Sequence, residues 1–216
     1  MEFKEVIRKR YSCKKYSDRQ VEKEKLEAIL EAGRLAPTAK NLQEQHVYVV
    51  QSPEILKKID ALTPCRYGAP TVLVVAFDKN NVFTYPGEKR DSGVEDASIV
   101  ATHMILAAAD EGVDSCWLNF LDPEKVADAL GLPENEEVLM LLDLGYAAEG
   151  AGPLPNHDSR KALTETVSYI STETPGLVFL NQEGHYGTSA LRCRTDHISK
   201  PTERLLCYQM PGEGVL

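Results

Sequence analysis

Two uninterrupted apolar runs, Thr71 to Phe77 (TVLVVAF) and Val138 to Leu144 (VLMLLDL), bracket a helix-like stretch that is apolar on nearly every side, Glu95 to Glu111 (EDASIVATHMILAAADE). A strand without polar alternation has no face to give to water, so each run predicts a sheet strand covered on both sides. The Ala-rich stretch between them predicts a buried helix. Around this centre, residues 22–35 place Leu26, Ile29, Leu30 and Gly33 at i, i+3, i+4, i+7, an amphipathic helix with Ser17 or Asp18 as possible caps and Pro37 as its stop. Residues 46–51 form a short strand. Asp122, Pro123 and Glu124 supply an N-cap, a first-turn proline and a dipole-matched carboxylate for a helix to about Leu130, which Gly131 closes. The order helix, helix, strand, helix, strand, long helix, helix, strand predicts an α+β layered fold.

The chain has 216 residues, enough to bury a core without disulfides, and 24 basic against 33 acidic residues give a formal charge of −9. That balance argues against a nucleic-acid or membrane-surface binder, which needs clustered basic charge, and no apolar run approaches the ~18 residues of a membrane span. Met1 to Arg10 lacks the apolar core of a secretory leader, and five scattered cysteines with no C-x-x-C pair read as reduced thiols, so a cytoplasmic location is expected and no metal centre. Residues 171–216 keep neither helical nor strand period for long. They are read as a C-terminal extension that is irregular, wrapped over another surface or disordered, with 176–180 as the best strand candidate, beside a main domain over 1–170.

Several short constellations could carry chemistry. Arg8 to Lys15 (RKRYSCKK) sits in a first forty residues that carry a local +4. Such a cationic island suits one compact anion such as a phosphate monoester, and suits a solvated helix end equally well. Ala36 to Gln43 (APTAKNLQ) offers two side-chain amides that could read a ring edge with alternating donors and acceptors, or could simply connect a helix to a strand. Gly93 to Ser98 opens the buried helix, with Glu95, Asp96 or Ser98 available as caps. Ser115 to Phe120 holds the only tryptophan, and Ser159 to Leu163 adds Arg160 and Lys161. Cys116 has no cationic sequence neighbour to activate it, His103 lies inside the apolar helix, and Asp143 sits in a buried strand where it needs a partner.

In this order the segments resemble the FMN-dependent nitroreductase family: Arg10-Tyr11-Ser12-Cys13-Lys14, Ala36 to Gln43, Ala69 to Leu73, Gly93 to Ser98, Gly112 to Trp117 and Arg160. The resemblance spans residues 3 to about 170. It implies a mostly antiparallel sheet flanked by helices and a homodimer with FMN at the interface. It implies Arg10 and Arg160 on the phosphate with Ser12 and Tyr11 beside them, and Lys14 at the N1/O2 edge of the ring. Asn41 and Gln43 would come from the other subunit, in a loop shaped by Pro37 and Thr38, and the Leu118-Asn119 backbone would face N5. Asn119 stands where the family usually has glycine, and Asn tolerates positive φ best after Gly. Glu44-Gln45 replaces a common Pro-Trp and would alter the pocket above the ring. The implied activity is ping-pong hydride transfer from NADH or NADPH to a small-molecule electron acceptor such as a nitroaromatic or quinone. The alternatives are an FMN carrier or non-catalytic dimer, and a reductive dehalogenase.

Overall fold

The structure, a computed structural model, describes residues 1–170 together with 179–180 and 186–187. Its contacts divide the chain into two units, Met1–Asp158 and Ser159–Leu216.

The first unit runs α1 (Phe3–Lys9), α2 (Lys23–Arg34), β1 (Gln45–Val50), α3 (Pro53–Asp60), β2 (Thr71–Asp78), α4 (Gly93–Asp110), β3 (Asp114–Leu118), α5 (Pro123–Leu130) and β4 (Glu136–Gly145). The four strands form one sheet in the order β1-β2-β4-β3, every pair antiparallel. The two apolar runs are the two central strands, paired from Thr71↔Leu144 to Asp78↔Glu136 with a register shift at Val75/Ala76. Alternate residues serve opposite faces. Leu73, Val75, Phe77, Met140, Leu142 and Leu144 pack with α2 and α4, while Val72, Val74, Ala76, Val138 and Leu141 pack with Leu56 and Ile59 of α3 and Val126 of α5. Both faces of the sheet are therefore covered, which is why neither run needs polar alternation.

The helix over 123–130 begins and ends as its sequence predicts: the Asp122 carboxylate accepts the Lys125 N–H, and Gly131 closes it in the left-handed region at φ 67°. The amphipathic helix is capped otherwise. Its N-cap is Glu22, and Ser17 instead donates to the Tyr146 carbonyl at 3.1 Å. The strand β3 is absent from the predicted series; five residues with a half-buried Trp117 carry too little periodicity to mark it.

At the start of α4, Gly93 packs under the Phe77 ring so closely that a Cβ would lie 2.3 Å from the ring edge. Glycine is required there by space. The helix buries Ala97, Val100, Ala101, Met104 and Ala108 inward. Its outer side leaves Val94 and Ile99 exposed, as α1 leaves Phe3 and Ile7.

The second unit contains α6 (Leu163–Thr166) and an antiparallel pair, β5 (Phe179–Leu180) with β6 (Tyr186–Gly187). Of the strand candidate 176–180, its last two residues are β5, and most of the extension 171–216 lies outside the described residues. No helix among the described residues is long and apolar enough to cross a membrane.

Candidate functional site

Residues 10–17 leave α1 as an extended segment along the sheet's β3 edge. Ser12 bridges Ser115 in parallel, the Cys13 N–H donates to the Ser115 carbonyl at 2.9 Å, and Tyr16 bridges Ala147 beyond β4. Extended backbone alternates its side chains. Cys13 turns into a small cluster with Ala69 between the half-buried Ser12 and the exposed Lys14, and Tyr16 joins the same cluster after a bend at Lys15 resets the alternation. Burial pushes the Cys13 thiol and the Tyr16 phenol upward, so neither ionises at neutral pH. Arg10 closes α1 and lines a hollow of about 80 Å³ with Lys9, Tyr11, Gly112 and Ser115. Among the described residues no internal hydrogen bond or ion pair engages the Arg10 guanidinium or the Ser12 hydroxyl, and the Lys14 ammonium stands 5.8 Å from the Tyr67 ring centroid. This strip therefore displays two cations and a hydroxyl. Tyr11 is half-buried, edge-on to the His157 ring at 6.4 Å.

The second set of candidates lies in the turn after α2. Thr38 Oγ1 accepts the Gln43 N–H at 3.1 Å and the Thr38 carbonyl accepts the Asn41 N–H at 3.0 Å, folding residues 39–41 into a short 3₁₀ turn. Pro37 is exposed at its entry. Lys40, Asn41 and Gln43 all have φ between 51° and 55°, a region costly for residues with a Cβ. Such strain persists only where the surroundings impose it, and it concentrates at functional sites. Asp96, a candidate cap of α4, instead accepts the Ala39 N–H at 3.0 Å and anchors this turn. Asn41 and Gln43 are exposed, their amides turned to solvent apart from one long bond from Gln43 to the Asn41 carbonyl at 3.4 Å. Glu44 does not border an open pocket; it is buried beneath the turn.

The remaining candidates are placed differently. Leu118 is 3% exposed in the α3/α5 core, so only its backbone is available to a ligand. Asn119 is exposed but is not among the residues with positive φ. Its side chain is tied down, accepting from the Trp117 indole and donating to the Leu139 carbonyl at 3.1 Å, and the glycine-like turn expected there is not formed. Arg160 belongs to the second unit, where its guanidinium donates to the Ser159 carbonyl at 2.7 Å. Cys116 is buried, and desolvation with the nearby Asp143 pushes its thiol up to about 11, an unreactive state. Asp143 is fully buried, and among the described residues neither of its carboxyl oxygens has a hydrogen-bond partner. Desolvation raises it to about 8 against the opposing pull of Arg66, so at neutral pH the neutral form prevails.

Helix α4 sets the spacing of the two donor sets. Arg10 lies against its last residues, Ala109 and the following Gly112, while the amide-bearing turn hangs from Asp96 in its first turn. At 1.5 Å per residue these anchors are about 20 Å apart.

The sequence profile of the nitroreductase family matches residues 7–65 and 62–146. A protein of Archaeoglobus fulgidus provisionally named NADH dehydrogenase/NAD(P)H nitroreductase is 35% identical over 149 residues, 65% of this chain and 83% of its own. A crystal structure of a nitroreductase family protein from Clostridium difficile superposes with a TM-score of 0.74 at 38% identity, covering 79% of this chain and 99% of that one. A Bacteroides fragilis nitroreductase with bound FMN superposes at 0.63 with 28% identity, covering 79% and 100%. With its antiparallel sheet, its cationic strip and its strained amide turn in place, the chain belongs to the nitroreductase family.

Proposed function

We propose that this protein is an NAD(P)H-dependent FMN oxidoreductase acting as a homodimer. The observation that carries the reading is the pair of unspent donor sets at opposite ends of α4, about 20 Å apart. One copy cannot close both on a single ring system. A twofold axis that sets two α4 helices antiparallel brings the amide turn of one copy to the cationic strip of the other. The exposed Val94 and Ile99, with Phe3 and Ile7, are the apolar surface such a pairing would cover.

The donor set fits FMN. Arg10 and Ser12, with no internal partner among the described residues, would hold the phosphate, with Tyr11 beside them. Lys14 would set a positive charge at the N1/O2 edge of the ring, where reduction adds negative charge. Asn41 and Gln43 of the second copy would bond the polar ring edge, held in register by Thr38 and Asp96. Backbone of Leu118 and Asn119 would face N5. When bound, FMN would supply the hydride-transfer chemistry between NADH or NADPH and a small oxidised acceptor of nitroaromatic or quinone type. The protein's part is to orient the ring and its partners and to bias charge at one edge.

The purified protein, reconstituted with FMN, should be yellow, lose its colour anaerobically on adding NADH or NADPH, and regain it with a nitroaromatic or quinone. A yellow protein that neither nicotinamide bleaches would point to a carrier. A colourless protein that FMN cannot reconstitute would refute the reading.

A further inference from the structure

Beneath the turn that carries Asn41 and Gln43 lies a buried acidic contact with no role in the reading above. Glu44 and Asp96 are each 4% exposed. Asp96 Oδ2 accepts the Ala39 N–H at 3.0 Å, and Glu44 Oε1 accepts the Ser92 hydroxyl at 3.0 Å, whose oxygen in turn accepts the Phe83 N–H at 3.1 Å. Glu44 Oε2 is buried with no hydrogen-bond donor, although the Asp96 carboxyl is within hydrogen-bonding reach. Two ionised carboxylates cannot donate to each other, and burying both without a cation is prohibitive. One proton between them satisfies the orphaned oxygen and turns repulsion into a charge-assisted hydrogen bond.

Among the described residues no cation is placed to do this instead. Lys40, from the turn, lies over the Phe83 ring at 4.5 Å, and Arg90 pairs with Glu95 at 2.9 Å, which also accepts the Tyr85 hydroxyl at 2.6 Å. Asp78, whose N–H meets the Glu44 carbonyl, spends its own carboxylate on Asn135 and on the Asn80 N–H. The Asp91 carboxylate accepts the Gly93 N–H, and His46 on β1 is paired with Glu136. Desolvation first, and Asp96 second, push the Glu44 carboxyl upward.

We propose that Glu44 and Asp96 share one proton, Glu44 Oε2–H donating to Asp96, and that Glu44 is thereby a positioning residue for the strained turn 38–43. The ionised Asp96 then keeps its grip on the Ala39 N–H, which offsets the cost of three left-handed residues in a row of four. Loss of the shared proton at high pH sets two buried charges against each other and loosens the turn. The consequence for FMN rests on the function proposed above; the shared proton itself does not.

The test is carried out on the full chain without FMN. Side-chain carboxyl resonances should titrate as a coupled pair, Glu44 releasing the shared proton above the ordinary carboxylate range. The protection of the Ala39 amide against exchange, corrected for intrinsic rate, should fall about tenfold between about pH 6 and about pH 9. Glu44→Gln, whose amide always has a hydrogen to offer Asp96, should hold that protection flat, and Glu44→Ala should lower it at every pH. Two carboxyls that titrate at ordinary values, or a Glu44→Gln variant that follows the parent's pH profile, would overturn the proposal. In a parallel titration, FMN affinity of the parent should weaken about tenfold over the same range and that of Glu44→Gln should not. Failure of every variant and the parent to bind FMN would sink the flavin reading, while the resonances and the Ala39 amide would still decide the shared proton.

Discussion

The two ends of α4 carry donors in opposite ways. At its C-terminal end, Arg10, Ser12 and Lys14 project from an extended backbone with no positive φ, and the acid buried nearby, Asp143, has both carboxyl oxygens unpaired. At its N-terminal end, Asn41 and Gln43 project from a turn with three left-handed residues, and the acid buried there, Asp96, holds the turn's Ala39 N–H. Charge acts over distance and tolerates loose placement, whereas an amide is effective only within hydrogen-bond distance and angle. Backbone strain and buried anchors therefore accumulate where amides must be aimed, and flexible cations serve where an anion must be attracted.

The largest expected effect tests the claim that Asp143 has no partner. With a pKa near 8, the folded chain keeps a proton that the unfolded chain releases above about pH 4. The contribution of Asp143 to stability is therefore greatest below about pH 4 and falls as pH rises to about 8. Asp143→Asn lacks this slope, so its denaturant-measured advantage over the parent should grow by about 3 to 5 kcal/mol across that interval. An advantage of Asp143→Asn that stays flat or shrinks as pH rises would mean that Asp143 is paired, and the contrast between the two ends would fail.

Gly93→Ala strikes the other end. The new Cβ would meet the Phe77 ring at 2.3 Å, and displacement of the first turn of α4 should cost about 3 kcal/mol in thermal or urea unfolding. Because Asp96 moves with that turn, the Ala39 amide should lose protection as well, while residues 10–14 stay unaffected. Arg10→Ala should leave stability near the parent's and weaken FMN binding by about 30-fold in a fluorescence titration, a loss that added salt reduces. Lys40→Gly is the smallest and sharpest case. Relief of one left-handed residue should raise stability by about 0.5 kcal/mol and leave FMN affinity within about twofold. Destabilisation would show that the Lys40 contact with Phe83 outweighs the strain.

Much of this fold was legible in sequence because it depends on local pattern. Continuous apolar runs, an all-apolar Ala-rich stretch and the Asp122-Pro123…Gly131 punctuation each state their own burial or boundary. The candidate residues at both ends of α4 were legible too, as types: cations and a hydroxyl in one segment, amides in another. Asn119 was misread because its side chain, which might have eased a left-handed turn, is held by Trp117 and Leu139, two strands' worth of contacts that no local pattern encodes.

By itself the sequence determined the layered α+β architecture, the buried pair of strands and the residue types available for binding, since these follow from periodicity and chemistry along the chain. Tertiary structure alone decided that β3 exists as an edge strand, that Asp96 anchors a distant turn instead of capping its own helix, that Glu44 goes under that turn, and that Asp143 meets no donor. A carboxylate reads the same in sequence whether it caps, anchors or lies orphaned. Its role depends on which remote backbone N–H or second acid the packing brings within about 3 Å, and that is a property of the assembled layers.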